Sequence, residues 1–343
     1  MGVLYVTEPE TLLGLKRERV QVRRDRAILA APRLDDLALI GLCAPVHISP
    51  RAVRAVAKRR ISLLLLTGRG EYVGRLSTRG AHRFDQRHTQ AARVADPAFT
   101  LNLARLLVGG RLRNLRGFVL ETPGESRTET QARALLALRM LAERVDAAQT
   151  LDAVRTVLPA AESAFFAIFG ELLRAEGVVF HARTSGAAAD PANLLLDLTS
   201  ALLLRQLEDL LEDVGLDPDR GFVHAGGPGT LALAHDLALE LSPVIVLPLV
   251  VSVLNRRTIR PSDCRFDTPD GLADDAAPTP RGTLDREGAR RFLVAYERLL
   301  AVPTWYAPQS RRLTLRQIVQ EQIYALARHL RGEADYVPFA PPF

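Results

Sequence analysis

A change of hydrophobic period near residue 96 divides this 343-residue chain. Before it, apolar residues come in short or alternating runs between polar turns: Val3–Val6, Arg19–Val22, Ala27–Leu29, Leu37–Leu42, Ile61–Leu66 and Tyr72–Leu76. Runs of this length read as strands. Ser49 followed by Pro50 interrupts them with a hydroxyl cap and a first-turn proline, which predicts one helix over Arg51–Arg59. Lys16–Arg26, mixed with Glu18 and Asp25, reads as an exposed hairpin. After residue 96 the apolar period is helical. Helices are predicted over Pro97–Arg116, Glu129–Glu143, Thr150–Ala175, Asn193–Val214, Leu231–Leu241, Leu284–Leu300 and Thr314–Arg331.

The fold class this implies is α+β, an N-terminal β-rich domain followed by an all-α C-terminal domain. The expected bounds are 1–90 and 95–343, and the chain is long enough for a core in each. Residues 262–281, rich in Asp, Pro, Gly and Ala, are expected to form a mobile loop. The proline-rich tail Tyr336–Phe343 is expected to be irregular.

The formal charge is +6 and the pI about 9.8, which fits a polyanionic partner. Every basic side chain except Lys16 and Lys58 is Arg. Arg suits phosphate recognition through its planar fork, and GC-rich codon usage produces the same bias. Arg105, Arg111, Arg113 and Arg116 make one cluster, and Arg256, Arg257 and Arg260 a second. They are candidate phosphate contacts; a solvated basic face is the plainer alternative. Cys43 and Cys264 make neither a disulfide framework nor a zinc site, so a reducing cytoplasm is expected. The opening MGVLYVTEPE does not read as a signal peptide. The apolar run Pro243–Leu254 is too short to span a bilayer, so no membrane is expected.

Chemistry concentrates between Gly221 and Asn255. His224 ends a short strand-like run, a glycine-rich segment follows over Ala225–Gly229, and Asp236 enters an apolar helix twelve residues after the His. A His and an Asp converging across a glycine-rich turn are candidate divalent-metal ligands. Equally, His224 can cap a helix and Asp236 pair with an Arg. His235 reads as a packed or surface helix residue.

Several further segments share an order and spacing with one family. They are Arg87-His-Thr-Gln90, Gly110-Arg-Leu-Arg-Asn114, Asp190-Pro-Ala-Asn193 and Leu216-Asp-Pro-Asp-Arg-Gly-Phe-Val-His224. Tyr336-Val-Pro-Phe339 closes the series. Together the chain resembles the CRISPR-associated protein 1 family, the spacer-acquisition endonuclease/integrase. The resemblance implies a metal-dependent DNA endonuclease/integrase using Mg²⁺ or Mn²⁺, and double-stranded DNA, prespacer and repeat, as substrate. It implies a homodimer that flanks a dimer of CRISPR-associated protein 2. It also implies a metal centre of Glu, His and Asp, in which His224 and Asp236 match the last two.

The match is incomplete at the acids. Leu158 falls where the Glu is expected, and Leu239, Ser242 and Leu247 replace an acid, an Arg and an acid. Glu162, one helical turn after Leu158, is the substitute ligand the sequence offers. The resemblance therefore leaves three readings: an active endonuclease/integrase using His224, Asp236 and Glu162, a catalytically impaired DNA-clamping subunit of the same assembly, or an interaction protein that keeps only the fold.

Overall fold

Alternation of apolar and polar side chains builds the first part of the molecule. The computed structural model describes residues 2–59, 61–66, 72–76, 84–122, 127–186, 188–267 and 281–342. The chain runs through β1 (Gly2–Val6), β2 (Thr11–Lys16), β3 (Arg19–Arg24), β4 (Ala27–Ala30), β5 (Leu37–Leu42) and β6 (Val46–Ile48). Helix α1 (Pro50–Lys58), β7 (Ser62–Leu66) and β8 (Tyr72–Leu76) follow. One sheet has the order β1-β5-β7-β8 and a second β4-β3-β2-β6. In the first, β1, β5 and β7 are parallel and β8 is antiparallel to β7. In the second, β2, β3 and β4 form an antiparallel meander, and β6 adds to β2 in parallel.

Strands β2 and β6 escape the sequence reading. Gly14 breaks the alternation of β2, and β6 has only three residues, held by its pairing with β2. The hairpin expected around Lys16–Arg26 is present as the two turns of the meander. Arg17, Glu18 and Asp25 there adopt positive φ, as tight hairpin turns demand. Inward residues of both sheets, among them Leu13, Val20, Ile40 and Leu63, close one core with Val56 of α1. The Ser49 hydroxyl accepts from the Ala52 N–H at 3.2 Å, the cap its position predicts.

The helical region begins earlier than the period change, at α2 (Phe84–Val94). Then come α3 (Pro97–Glu121), α4 (Glu129–Ala147), α5 (Leu151–Arg155), α6 (Val157–Leu172), α7 (Pro191–Val214) and α8 (Ala232–Asn255). After them run β9 (Cys264–Asp267), β10 (Arg281–Leu284), α9 (Arg286–Leu300), β11 (Pro303–Tyr306), β12 (Arg311–Thr314) and α10 (Leu315–Leu330). The region is helical, with two antiparallel two-stranded ribbons set into it, β9/β10 and β11/β12.

Several segments differ from expectation. The predicted helix over Thr150–Ala175 is two helices that break at Thr156. The helix predicted to end at Leu241 instead continues through Pro243 and Pro248 to Asn255. Each proline forfeits one backbone donor, but α8 packs against α3, α7 and α9 and buries most of its side chains, which outweighs the loss. Leu284 belongs to a strand, so α9 starts at Arg286. The expected mobile loop at 262–281 is partly ordered as β9 and the start of β10, and its remainder, 268–280, lies outside the described residues.

Among the described residues two stretches, Leu151–Leu172 and Ala232–Asn255, are long and apolar enough to cross a membrane by length and composition. The twelve-residue run considered in the sequence is thus part of a longer apolar helix. In this fold that helix is a core element. Its buried acids Asp236 and Glu240 are hydrogen-bonded internally rather than left in an apolar phase.

Capping fixes the long helices. Asp96 accepts from the Ala98 and Phe99 N–H groups, and Asp190 from that of Asn193. Gly215 ends α7 at φ +84°, where a side chain would be strained. Between the two regions, Arg75 of β8 reaches α7, pairing with Glu208 at 3.4 Å, Glu212 at 2.6 Å and Asp209. The Tyr5 hydroxyl donates to Glu297 of α9 at 3.3 Å.

Candidate functional site

The loop before α8 is built around one carboxylate. Asp236, the fifth residue of α8, is fully buried, and its two oxygens meet four donors. Oδ2 accepts from the Phe222 N–H at 2.5 Å and the Val223 N–H at 3.0 Å. Oδ1 accepts from the His224 N–H at 2.9 Å and lies 2.7 Å from its ring Nδ1. An acceptor-only carboxylate here assigns the ring proton to Nδ1, which leaves Nε2 as the free nitrogen of His224. The packing is close enough to require Gly221. A Cβ there would meet Asp236 Oδ2 at 2.8 Å and the Ala232 backbone at 2.9 Å.

Neighbouring polar residues hold the rest of the loop. Asp219 accepts from the Gly229 and Leu231 N–H groups, both at 2.8 Å, and Leu231 enters α8 at φ +51°. Gln90 of α2 donates to the Asp217 and Arg220 carbonyls at 2.9 and 2.8 Å, and its Oε1 accepts from the Asp217 N–H. The sequence segment Arg87–Gln90 therefore acts as a clamp on the loop that carries His224.

His224, with 39% of its side chain exposed, opens onto a cavity of about 480 Å³. Leu158 of α6 and Leu239, Ser242 and Leu247 of α8 line the same cavity, with Glu162 and Arg111 on its wall. Asp236 does not line it. All four positions noted as departures from the family pattern therefore line one cavity with His224. His235 also lines the cavity, its ring centroid 5.5 Å from that of His224. Desolvation, and then the neighbouring His224, hold its pKa below the ordinary histidine value.

The basic residues separate. Arg105 is committed to the Ala148 carbonyl at the end of α4. Arg111 turns into the cavity, where burial lowers its pKa and Glu162 acts in the opposite sense. Arg116 has a buried Nε without a partner, and Arg113 is exposed. Arg256, Arg257 and Arg260 are exposed, Arg257 near Glu176 at 3.4 Å. The four α3 arginines thus do not form one surface. Sequence reading missed Arg183 and Asp197, a 2.5 Å pair on the cavity wall. The signal was available in the Asp-Pro-Ala-Asn start of α7. Buried Asn193 accepts from Arg183 at 3.0 Å, and Asp197 lies one turn further along the same helix.

A family model described as CRISPR associated protein Cas1 matches residues 4–298. The chain belongs to the CRISPR-associated Cas1 family. It is 32% identical over 343 residues to the CRISPR-associated endonuclease Cas1 3 of Thermus thermophilus, covering 99% of this chain and 97% of that one. Its fold is similar to a chain of a Cas6-RT-Cas1–Cas2 complex, with TM-score 0.80 and 19% identity, over 98% of this chain and 36% of that longer one. It is also similar to a casposase bound to integration product, with TM-score 0.80 and 15% identity, over 98% and 92% of the two chains.

Family resemblance implied an ion held by His224, Asp236 and a Glu, for which Glu162 was the substitute, and the residues present do not fit one. Both oxygens of Asp236 are occupied by donors from its own loop, so it positions His224 instead of facing the cavity. Leu158 and Leu239 bring methyl groups where oxygen would be needed. Glu162 is exposed on the wall near Arg111. Among the described residues no group of three or more His, Cys, Asp or Glu could hold a metal. Glu240 faces away from the cavity. The Tyr336 hydroxyl and Gln322 Nε2 donate to its Oε1 at 2.8 and 2.9 Å.

Proposed function

We propose that this chain serves CRISPR adaptation as a DNA-clamping subunit whose metal-dependent endonuclease/integrase activity is impaired. The observation that carries this reading is the cavity wall, where Leu158 and Leu239 stand beside His224 while Asp236 is spent on backbone N–H groups. A buried carboxylate costs desolvation energy that a metal offsets. Without the metal, a leucine in its place gains roughly 1.5–3 kcal/mol of burial, so loss of the acids and loss of the ion reinforce each other.

The relatives support the setting, since one is named an endonuclease and the two structural neighbours are a Cas6-RT-Cas1–Cas2 complex and a casposase bound to integration product. On this reading the partners are prespacer and repeat duplex DNA, a dimer of CRISPR-associated protein 2, and a second copy of this chain. The β-rich domain, 1–90, pairs the copies, and the helical domain, 95–343, meets DNA. Exposed Arg113, Arg256 and Arg260 supply phosphate contacts in the cytoplasm, while Arg105 serves the fold.

The test is a branched-DNA disintegration assay with Mg²⁺, with Mn²⁺ and with chelator, beside duplex binding across a salt series. Strand transfer should not respond to either metal. Binding should survive chelation and weaken with salt at a log–log slope of about −0.9 per neutralised phosphate. Metal-stimulated joining overturns the impairment. No duplex affinity at low salt, alone or with the Cas2-type partner, overturns the clamp and leaves an interaction protein.

A further inference from the structure

Arg111 is left without a task by the reading above. It leaves the middle of α3 and lines the cavity, where its Nε is buried without a partner. No described side chain forms a hydrogen bond or ion pair with it. Glu162 acts on it electrostatically but makes no ion pair with it. The other charged groups of the wall are satisfied elsewhere, because Arg183 and Asp197 close on each other at 2.5 Å. Leu158 and Leu239 contribute no charge. A guanidinium stays protonated in proteins, so it carries a permanent charge into this space.

Such a group fits an oxyanion, which accepts its planar fork of N–H donors. Ser200 and Ser242 add hydroxyls to the lining of the same cavity. The volume, about 480 Å³, lies within the range of small-ligand pockets and admits a phosphate with an attached sugar. We propose that the cavity is a metal-free seat for a phosphoryl group, held by Arg111. The ligand is inorganic phosphate or the terminal phosphate of a DNA strand. The proposal rests on the reading that the site no longer holds a metal ion, and it reverses the charge preference of the cavity from cation to anion.

The experiment uses the full chain in chelator. Melting is followed with low-millimolar inorganic phosphate against chloride at matched ionic strength, for the wild type, Arg111→Met and Arg111→Lys. Duplex binding is compared for 5′-phosphorylated and 5′-hydroxyl ends in the same proteins and in Arg113→Ala. Phosphate should raise the wild-type melting temperature by several degrees and leave Arg111→Met unmoved. A phosphorylated end should tighten binding about tenfold in the wild type and Arg113→Ala, and not in Arg111→Met. Arg111→Lys should keep part of both effects, and it carries the test if Arg111→Met does not fold. A melting shift without an end preference identifies free phosphate as the ligand and supports the seat. Neither effect in the wild type, or full effects in Arg111→Met, overturns it. Loss of all duplex binding with the phosphate shift intact overturns the DNA-clamping reading alone. Metal-stimulated joining instead overturns the impaired-site reading on which the seat rests.

Discussion

Asp236 shows how a residue type can suggest one chemistry while its surroundings give it another. From the sequence it is a candidate ligand; in the fold it gathers three backbone N–H groups and an imidazole N–H. Asparagine there offers one acceptor for the same donors. Each donor left buried and unpaired costs about 1–3 kcal/mol. Asp236→Asn should therefore lower unfolding free energy by about 2–4 kcal/mol, measured by chemical denaturation without metal. His224→Ala should cost less, because the backbone bonds to Asp236 remain and the ring is partly exposed. Unchanged stability of Asp236→Asn would mean that the carboxylate is a free ligand group after all. The His and the Asp were candidates from their spacing together with the family resemblance. Which of them faces the cavity was not legible, since that depends on the turn that Gly221 and Leu231 impose.

At the scale of elements, α8 carries two buried carboxylates one turn apart on an apolar rod. Asp236 serves the loop before the helix, and Glu240, four residues on, ties α8 to α10 and the tail through Gln322 and Tyr336. Gly110 lets the tail approach, because a Cβ there would meet Pro338 at 2.8 Å. Asn114 of the same motif donates to the Glu240 and Phe339 carbonyls, both at 2.8 Å. The tail expected to be irregular has no regular secondary structure but is anchored, with Tyr336 and Phe339 buried.

Burial, against the Gln322 and Tyr336 hydrogen bonds, pushes the Glu240 pKa up from 4.5 to about 7. Between those values the folded state holds a proton that the unfolded state has lost, so stability falls as pH rises and levels off above the folded pKa. The amplitude is on the order of 3 kcal/mol. Subtracting the Glu240→Gln profile from the wild-type profile should isolate this slope between about pH 4.5 and 7. Parallel profiles would show that Glu240 ionises freely in the fold.

For the whole molecule, the attachment of the β-rich part to the helical part depends on a concentrated charge cluster. Arg75 has a side chain only 9% exposed, and Glu208, Asp209 and Glu212 surround it. Desolvation raises Asp209 to about 6 even with Arg75 opposing it. Removing the cation leaves carboxylates at the seam, and breaking a pair of this kind costs about 3–5 kcal/mol. Arg75→Met should make the two parts separable, seen as faster limited proteolysis between them and a broadened or two-step denaturation. A single sharp transition at the wild-type midpoint would place the attachment elsewhere.

Sequence alone determined what depends on neighbours along the chain. The strand and helix periods, the Ser49 cap and the His224–Asp236 spacing were all local or ordered signals. Tertiary structure decided what depends on packing. It carried α8 past two prolines because burial outweighs the two absent donors. It split the α3 arginines among a carbonyl, a cavity and the solvent, because a helix of 25 residues meets different neighbours along its length. It put Leu158, Leu239, Ser242 and Leu247 around one cavity, because α6 and α8 meet across a space that no local period encodes.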